Sequence, residues 1–165
     1  MMAAIRASEL GSSVLLVEKN NILGRKLLLS GKGRCNLTNA CELDVFLSRF
    51  SNRADFLRDA FKKFFNTDLI SFFESRGLKL KTERQLRVFP VTDKSSSVVD
   101  VLEKELKKNR IDILYNIVLK SIVVEGGHVT GILTQTGEFI KADKIILATG
   151  GASYRFTGSS GEGLD

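Results

Sequence analysis

The spacing of apolar residues changes several times along the chain, and each change marks an element. MMAAIRASEL carries small and apolar residues at helical spacing and halts at Gly11, a residue suited to a left-handed cap. SSVLLVEKN is apolar without alternation over residues 14–17 and then meets Glu18, the form of a central parallel strand that presents an acid at its carboxyl edge. Residues 21–41 are loop-rich and polar apart from Leu27, Leu28 and Leu29, so they read as a site and not as scaffold. From Asp44 to Gly77 the pattern turns helical, with Phe56, Leu57, Ala60, Phe61, Phe64 and Phe65 on one apolar stripe. A second helix is expected over 68–76, closed by Gly77, with Phe72 and Phe73 packed in the core. Residues 78–93 read as short strands around Pro90, and Ser95, Ser96 and Ser97 offer caps for a helix over 97–109 whose inner face is Val98, Val99, Leu102 and Leu106.

The remainder is mostly β. IDILYNIVL leads into SIVVEGGHVTGILTQTGEFIKAD, where GG and TG punctuate alternating apolar residues and predict a hairpin-linked meander. KIILATGG is a short, fully apolar run ending in two glycines, the form of a parallel strand that delivers a backbone turn to a ligand. The first helix has small residues that ordinarily pack on a preceding strand, and the tail ASYRFTGSSGEGLD ends in Gly and Ser without a closing element. The pattern is therefore expected to be part of a larger unit.

With 165 residues, 43% apolar and 27% charged, and a single proline, the chain has the composition of one globular domain, which argues against collagen, coiled coil and wholesale disorder. Its longest apolar stretches fall far short of the roughly 20 residues that a membrane-spanning helix needs. Cys35 and Cys41 lie in CNLTNAC, a spacing that matches no zinc motif, and His128 is the sole histidine. These counts disfavour a metal site and a His-based nucleophilic triad. Few cysteines and no secretory signal predict a cytoplasmic setting. Lys plus Arg exceed Asp plus Glu by 25 to 19, a net charge of +6 that suits phosphate-bearing ligands. Most of the charge sits in mixed company on helix faces, but Arg25, Lys26, Lys32 and Arg34 cluster in GRKLLLSGKGR with no acid among them, beside glycines that let backbone approach an anion.

A helix, a tight turn and a strand ending in an acid form the second half of a dinucleotide-binding βαβ unit, in which Glu18 would take ribose hydroxyls. A strand-end surface carboxylate would look the same. GKGRCN is not the G-x-G-x-x-G fingerprint, since Asn36 stands in place of the third glycine and no strand-to-helix context surrounds it. As a basic glycine-containing loop it could instead wrap a bound dinucleotide, with Ser30, Asn36, Thr38 and Asn39 adding polar groups. A basic surface loop is the plainer alternative.

Three segments in order, VEKNNILGRKLLLSGKGRCNLTN, RVFPVTDKSSSVVDVL and ILATGGASYRFTGSSGEG, resemble the BaiN-like flavoprotein family, also described as aminoacetone oxidase family FAD-binding enzymes or NAD(P)/FAD-dependent oxidoreductases. The resemblance implies an α/β fold: an incomplete FAD/NAD(P)-binding Rossmann-like domain of glutathione reductase-like FAD topology, with an inserted β-meander. It implies a cofactor-binding set in which Glu18, with Lys19 beside it, meets the adenosine ribose. Arg25, Lys26, Ser30, Gly31, Lys32, Gly33, Arg34, Cys35 and Asn36 would line the loop towards pyrophosphate and flavin. Val118 or Leu119 would lie beside the adenine, and Ala148, Thr149, Gly150 and Gly151 would form the second FAD-contacting segment. Cys35 belongs to the GRCN string, and a redox disulfide with Cys41 is the less favoured reading.

Residues 1–165 would thus be a partial FAD-binding domain. Family members are longer, begin with a strand and G-x-G-x-x-G, and continue through an inserted domain before completing the FAD site. The family's YP step is Tyr154-Arg155 here. The implied activity is hydride transfer between NAD(P)H, flavin and a small organic substrate or oxygen, with FAD as cofactor, no catalytic residue named, and the chain by itself expected to be inactive. Lys32 and Arg34 are the candidates for cations near the flavin's N1 and O2 edge. The alternative is a non-catalytic basic fragment with residual nucleotide or nucleic-acid affinity, although nucleic acid is disfavoured because no strand face interleaves basic and aromatic residues. No membrane partner is expected, and the oligomeric state is left open.

Overall fold

The computed structural model describes residues 1–50, 54–153 and 161. In chain order the elements are α1 (Met2–Glu9), β1 (Leu15–Val17), α2 (Arg25–Leu29), a tight turn at Ser30–Gly33, β2 (Thr38–Asn39), α3 (Leu43–Leu47), α4 (Asp55–Lys63), α5 (Asn66–Glu74), β3 (Leu80–Thr82), β4 (Arg87–Pro90), α6 (Ser95–Lys108), β5 (Asp112–Leu114), β6 (Leu119–Glu125), β7 (His128–Thr134) and β8 (Phe139–Lys141). The chain divides into two compact units, Met1–Lys26 with Leu102–Asp165, and Leu27–Val101.

In the first unit α1 ends as the sequence predicts. Gly11 takes φ +86°, and the N–H groups of Gly11 and Ser12 close on the carbonyls of Ser8 and Ala7. The chain then enters β1, which pairs parallel with β5, Leu15 opposite Asp112 and Val17 opposite Leu114. Parallel pairing with connecting helices gives the α/β, Rossmann-type character. Ile5, Leu106 and Ile111 are buried here.

The meander forms as expected. β6 and β7 pair antiparallel across Gly126 and Gly127, whose φ values of +56° and +80° give the turn hand that matches strand twist. β8 joins the outer edge of β7. At Gly131 a Cβ would fall on the Ile140 carbonyl and the Phe139 ring, so this glycine within β7 permits the close approach of β8.

The second unit holds a three-stranded antiparallel sheet, β2–β4–β3, around the proline-containing strand. β2 reaches only as far as Val88 along β4, so the missing N–H of Pro90 interrupts no ladder. Phe73, Leu78, Val88, Phe89, Val98 and Val99 form its core.

Four sequence expectations are corrected. The second helix, expected from Asp68, starts at Asn66, directly after Phe64 and Phe65 have left the preceding helix in extended conformation. Phe61 and Phe65 pack against Phe46 with ring centroids 5.3 Å apart in both pairs, whereas Phe56 and Phe64 of the same expected stripe are exposed. The helix starts at Ser95, ahead of the expected Ser97, so Ser95 lies inside α6 with its hydroxyl on the Leu28 carbonyl at 3.0 Å, and Thr92, three residues before the helix, has its hydroxyl 2.8 Å from that of Ser97. Finally, residues 145–148 form no strand. An apolar run becomes a strand only where a neighbour takes its hydrogen bonds. Ile146 and Leu147 have no ladder partner among the described residues and are exposed. Tyr154-Arg155 and most of the glycine-rich tail lie outside the described residues.

Candidate functional site

The residues singled out by sequence fall into two groups, one in each unit. In the first, Glu18 follows the last residue of β1 and continues its pairing: its N–H donates to the Leu114 carbonyl at 2.8 Å and its carbonyl accepts from Ile117 N–H at 3.1 Å. The strand thus delivers a carboxylate to the carboxyl end of a parallel pair, one residue from Val118. Its Oε1 is held by Asn20, through the backbone N–H at 2.8 Å and Nδ2 at 2.6 Å. Asn20 Oδ1 in turn accepts from Arg25 at 2.9 Å. The α-amine of Met1, at the start of α1, feels the Glu18 charge; burial lowers its pKa and Glu18 opposes that shift. Lys19 is half-buried and Lys26 exposed. Val118 and Leu119 are both half-buried; Leu119 opens β6, and the carbonyl of Val118, just before it, accepts from Gln135 N–H at 2.9 Å.

Ala148, Thr149, Gly150 and Gly151 are exposed and without regular structure. Gly150 has φ +81°, and both glycines have open space where a Cβ would stand. Their backbone is accessible.

The second group is the 30–36 turn. Gly31, Lys32 and Gly33 are all left-handed, at φ +57°, +57° and +83°, and Cys35 follows at +60°. Lys32 and Cys35 hold this conformation without being glycine, which costs energy that the surroundings must offset. At Gly31 the need for glycine is double, because a Cβ would stand 2.7 Å from Asn36 N and 3.3 Å from the Phe89 ring. The turn closes through Arg34 N–H to the Gly31 carbonyl and Cys35 N–H to the Ser30 carbonyl, at 3.3 and 3.0 Å. Ser30 Oγ donates to Leu27 O at 2.7 Å. Asn36 Nδ2 donates to the carbonyls of Thr38 and Val88. Cys35 is buried, which pushes its thiol pKa up, and both Cys35 and Cys41 are free thiols.

The two cations of GKGR part company. Lys32 is exposed and makes no ion pair among the described residues. Arg34 grips Glu83 with both terminal guanidinium nitrogens, at 2.9 and 3.2 Å, and reaches Asp93 at 3.1 Å. Its guanidinium carbon lies 4.1 Å from the centre of the Phe89 ring. Lys81 completes the group, 2.6 Å from Asp93 and 3.4 Å from Glu83. The Arg34 hydrogen bond holds the Glu83 carboxyl below its ordinary pKa, and Lys81 does the same for Asp93.

Sequence reasoning did not single out Asn20, Lys81, Glu83, Asp93 or Asn66. Asn20 had a signal, a short polar residue two places after a strand-end acid. The others act across long stretches of chain. Asn66, buried at the start of α5, donates from one amide nitrogen to the carbonyls of Asn39 and Cys41, both at 2.7 Å, and so ties down CNLTNAC. No group of three or more His, Cys, Asp or Glu among the described residues is arranged to hold a metal, and no helix among them is long and apolar enough to cross a membrane.

Comparison with known proteins gives one consistent answer. The family described as HI0933-like protein Rossmann domain matches residues 1–165. The chain is 31% identical to the 3-dehydro-bile acid delta(4,6)-reductase of Clostridium scindens, over 99% of its own length and 39% of that protein. It is 29% identical to the ribosomal RNA dihydrouridine synthase of Escherichia coli, over 97% of its length and 39% of the relative. Among solved structures, the open conformation of a flavocytochrome c3 fumarate reductase matches with a TM-score of 0.55 and 27% identity, covering 94% of this chain and 34% of that one. The chain spans about two fifths of the length of the curated relatives it matches.

Proposed function

We propose, from the premise that this chain belongs to the HI0933-like Rossmann-domain family, a family of FAD-binding proteins, that it supplies part of the FAD site of an oxidoreductase that reduces an activated carbon–carbon double bond. The observation that carries the cofactor reading is Glu18. Its carboxylate stands at the carboxyl end of a parallel strand, already oriented by two hydrogen bonds from Asn20. That is where an α/β nucleotide-binding fold presents an acid to the two hydroxyls of a ribose. The residues present therefore suit FAD. Glu18 would hold the adenosine ribose, Val118 and Leu119 would flank the adenine, and the open backbone at Gly150 and Gly151 would meet the pyrophosphate or flavin. In the other unit the family resemblance assigns the 31–35 turn to the cofactor as well, and its open backbone at Gly33 and exposed Lys32 would by themselves suit an anionic phosphate or reduced flavin.

When bound, FAD supplies two-electron transfer by hydride, and a reduced nicotinamide, NAD(P)H, is the donor we favour. The substrate class comes from the relatives' names. A delta(4,6) bile acid, the uracil ring that becomes dihydrouridine, and fumarate each carry a carbon–carbon double bond made electron-poor by a carbonyl or carboxyl group. The net charge of +6 favours an anionic molecule as its carrier. The low cysteine count and free thiols fit work in a reducing, cytoplasmic setting.

The test compares FAD with FMN, which lacks the adenosine. In the whole protein, Glu18→Ala is expected to weaken FAD by roughly 10- to 150-fold, the equivalent of about 1.5–3 kcal/mol for a hydrogen bond to a charged group. FMN affinity should stay as it was. Equal affinity of wild type and variant for FAD, by flavin fluorescence titration, would return Glu18 to the class of strand-end surface acids.

A further inference from the structure

We propose that Arg34 is a positioning residue and not the flavin's counter-charge: with Glu83, Asp93 and Lys81 it forms a closed, charge-balanced lock that holds the 31–35 turn in shape, leaving Lys32 as the turn's outward cation. The cofactor part of this inference rests on the reading of the turn given under Proposed function. The lock itself rests on geometry alone.

Four observations converge on it. The first is the ring of contacts. Arg34 meets Glu83 through a two-pronged bridge and Asp93 through a third bond, and Lys81 meets the same two carboxylates from its own side. Two cations and two anions alternate, so the group sums to zero and projects little field beyond itself. The second is that the guanidinium is stacked as well as paired. Phe89 is buried, with one ring edge near Gly31 and its face under Arg34, so the ring meets both residues of the turn.

The third observation is where backbone strain falls. Lys32 and Cys35, on either side of Arg34, and its partner Asp93 are all non-glycine residues with positive φ. A conformation that each residue resists alone persists only when its surroundings over-determine it. The fourth is reach. Arg34 joins residues 49 and 59 positions further along, one beside β3 and one in the turn before α6, so three segments are fixed by a single side chain. An isolated, partly exposed ion pair stabilises little, but a bidentate network with a stacked guanidinium defines a geometry.

The turn contains its own reporter. Cys35 is buried within it, while Cys41 lies outside and is partly accessible. Opening of the turn would expose the Cys35 thiol. In the whole apoprotein, alkylation by iodoacetamide, followed peptide by peptide by mass spectrometry, is expected to modify Cys35 at least tenfold faster relative to Cys41 in Arg34→Gln than in wild type. Arg34→Lys, which keeps the charge but loses the fork, should recover part of the protection, and Lys32→Gln should react as wild type. If Arg34→Gln does not fold, Asp93→Asn, which removes one of the two acidic partners, is expected to give the same acceleration. An unchanged ratio of Cys35 to Cys41 rates in Arg34→Gln, or in Asp93→Asn where that variant stands in, would overturn the lock.

A second arm separates the lock from the cofactor reading. Arg34→Gln should weaken FAD while leaving the midpoint potential of the bound flavin unchanged, and Lys32→Gln should lower that potential. A potential shift in Arg34→Gln as large as in Lys32→Gln, with Cys35 still protected, would overturn the positioning role and return Arg34 to the flavin's field. Variants that open the turn yet bind FAD like wild type would overturn instead the assignment of the turn to the cofactor.

Discussion

The end of β1 and the 31–35 turn each present charged groups, yet the first is oriented by a neighbour in sequence and the second by residues far along the chain. Glu18 is oriented by Asn20, two places on, and delivered by a strand whose pairing continues through it. Arg34 is oriented by Glu83 and Asp93, and its charge is cancelled there. The difference teaches that a cluster of like charges in a sequence says which groups are available but not which way they act. Of the cations in GRKLLLSGKGR, Arg34 is turned inward by remote acids and Lys32 stays exposed. Counting both as charge offered to a ligand would double the field the turn can exert.

The sharpest way to break this comparison is Gly31→Ala. It places a side chain in a left-handed position, at a cost of about 1–2 kcal/mol, and drives a Cβ to 2.7 Å from backbone that cannot step aside. With the contact added, thermal unfolding is expected to drop by roughly 5–10 °C, and FAD binding should be lost with the turn. Glu18→Ala, by contrast, should leave the melting temperature nearly unchanged while it weakens FAD. A Gly31→Ala protein that melts like wild type would mean that the turn is looser than its geometry.

A smaller effect is expected from acid. Glu83 and Asp93 have folded-state pKa values below those of the unfolded chain, so their contribution is complete above the ordinary carboxylate value of about 4. It is lost as pH falls through the lowered values. Amide exchange at Arg34 and Cys35, corrected for intrinsic rates, should therefore stay protected from pH 7 to near pH 4 and quicken below it. Asp93→Asn should flatten that step. A loss of protection between pH 6 and 5 would point to a different titrating group.

The smallest effect belongs to Lys32→Gln. Removing one exposed cation is expected to lower the midpoint potential of bound flavin by no more than about 30 mV, which for a two-electron couple is about 1.4 kcal/mol. Spectroelectrochemical titration at full FAD occupancy measures it, and a shift that vanishes at high salt would confirm that the charge acts through solvent.

Much of the fold was legible because its signals are local. Gly11 and Gly77 end helices with positive φ, the Gly126-Gly127 pair turns a hairpin, and Glu18 follows an apolar strand. The parts that were not legible depend on partners. Residues 145–148 have the composition of a strand, but strand formation needs a neighbour's hydrogen bonds. The Phe56 to Phe65 stripe is broken because the chain leaves the helix at Phe64, and Asp68 then accepts the Phe65 N–H to start the next one. At the candidate site the acid, the glycines and the cations could be named from their types and spacing. The direction in which Arg34 acts could not, since nothing near it in the sequence announces Glu83 or Asp93.

Asn66 has a consequence for the order in which the chain assembles. Its single amide nitrogen bridges carbonyls 27 and 25 residues earlier, one of them in β2, the strand laid on β4. Closing a loop of that size costs entropy that grows only slowly with length, but the cost falls due before any bond returns it. Neither bond can form until α5 has its first turn and the 39–41 backbone has taken its final course. The bridge is therefore a late fastening, and losing it should show more in how quickly the native chain comes apart than in how quickly it forms.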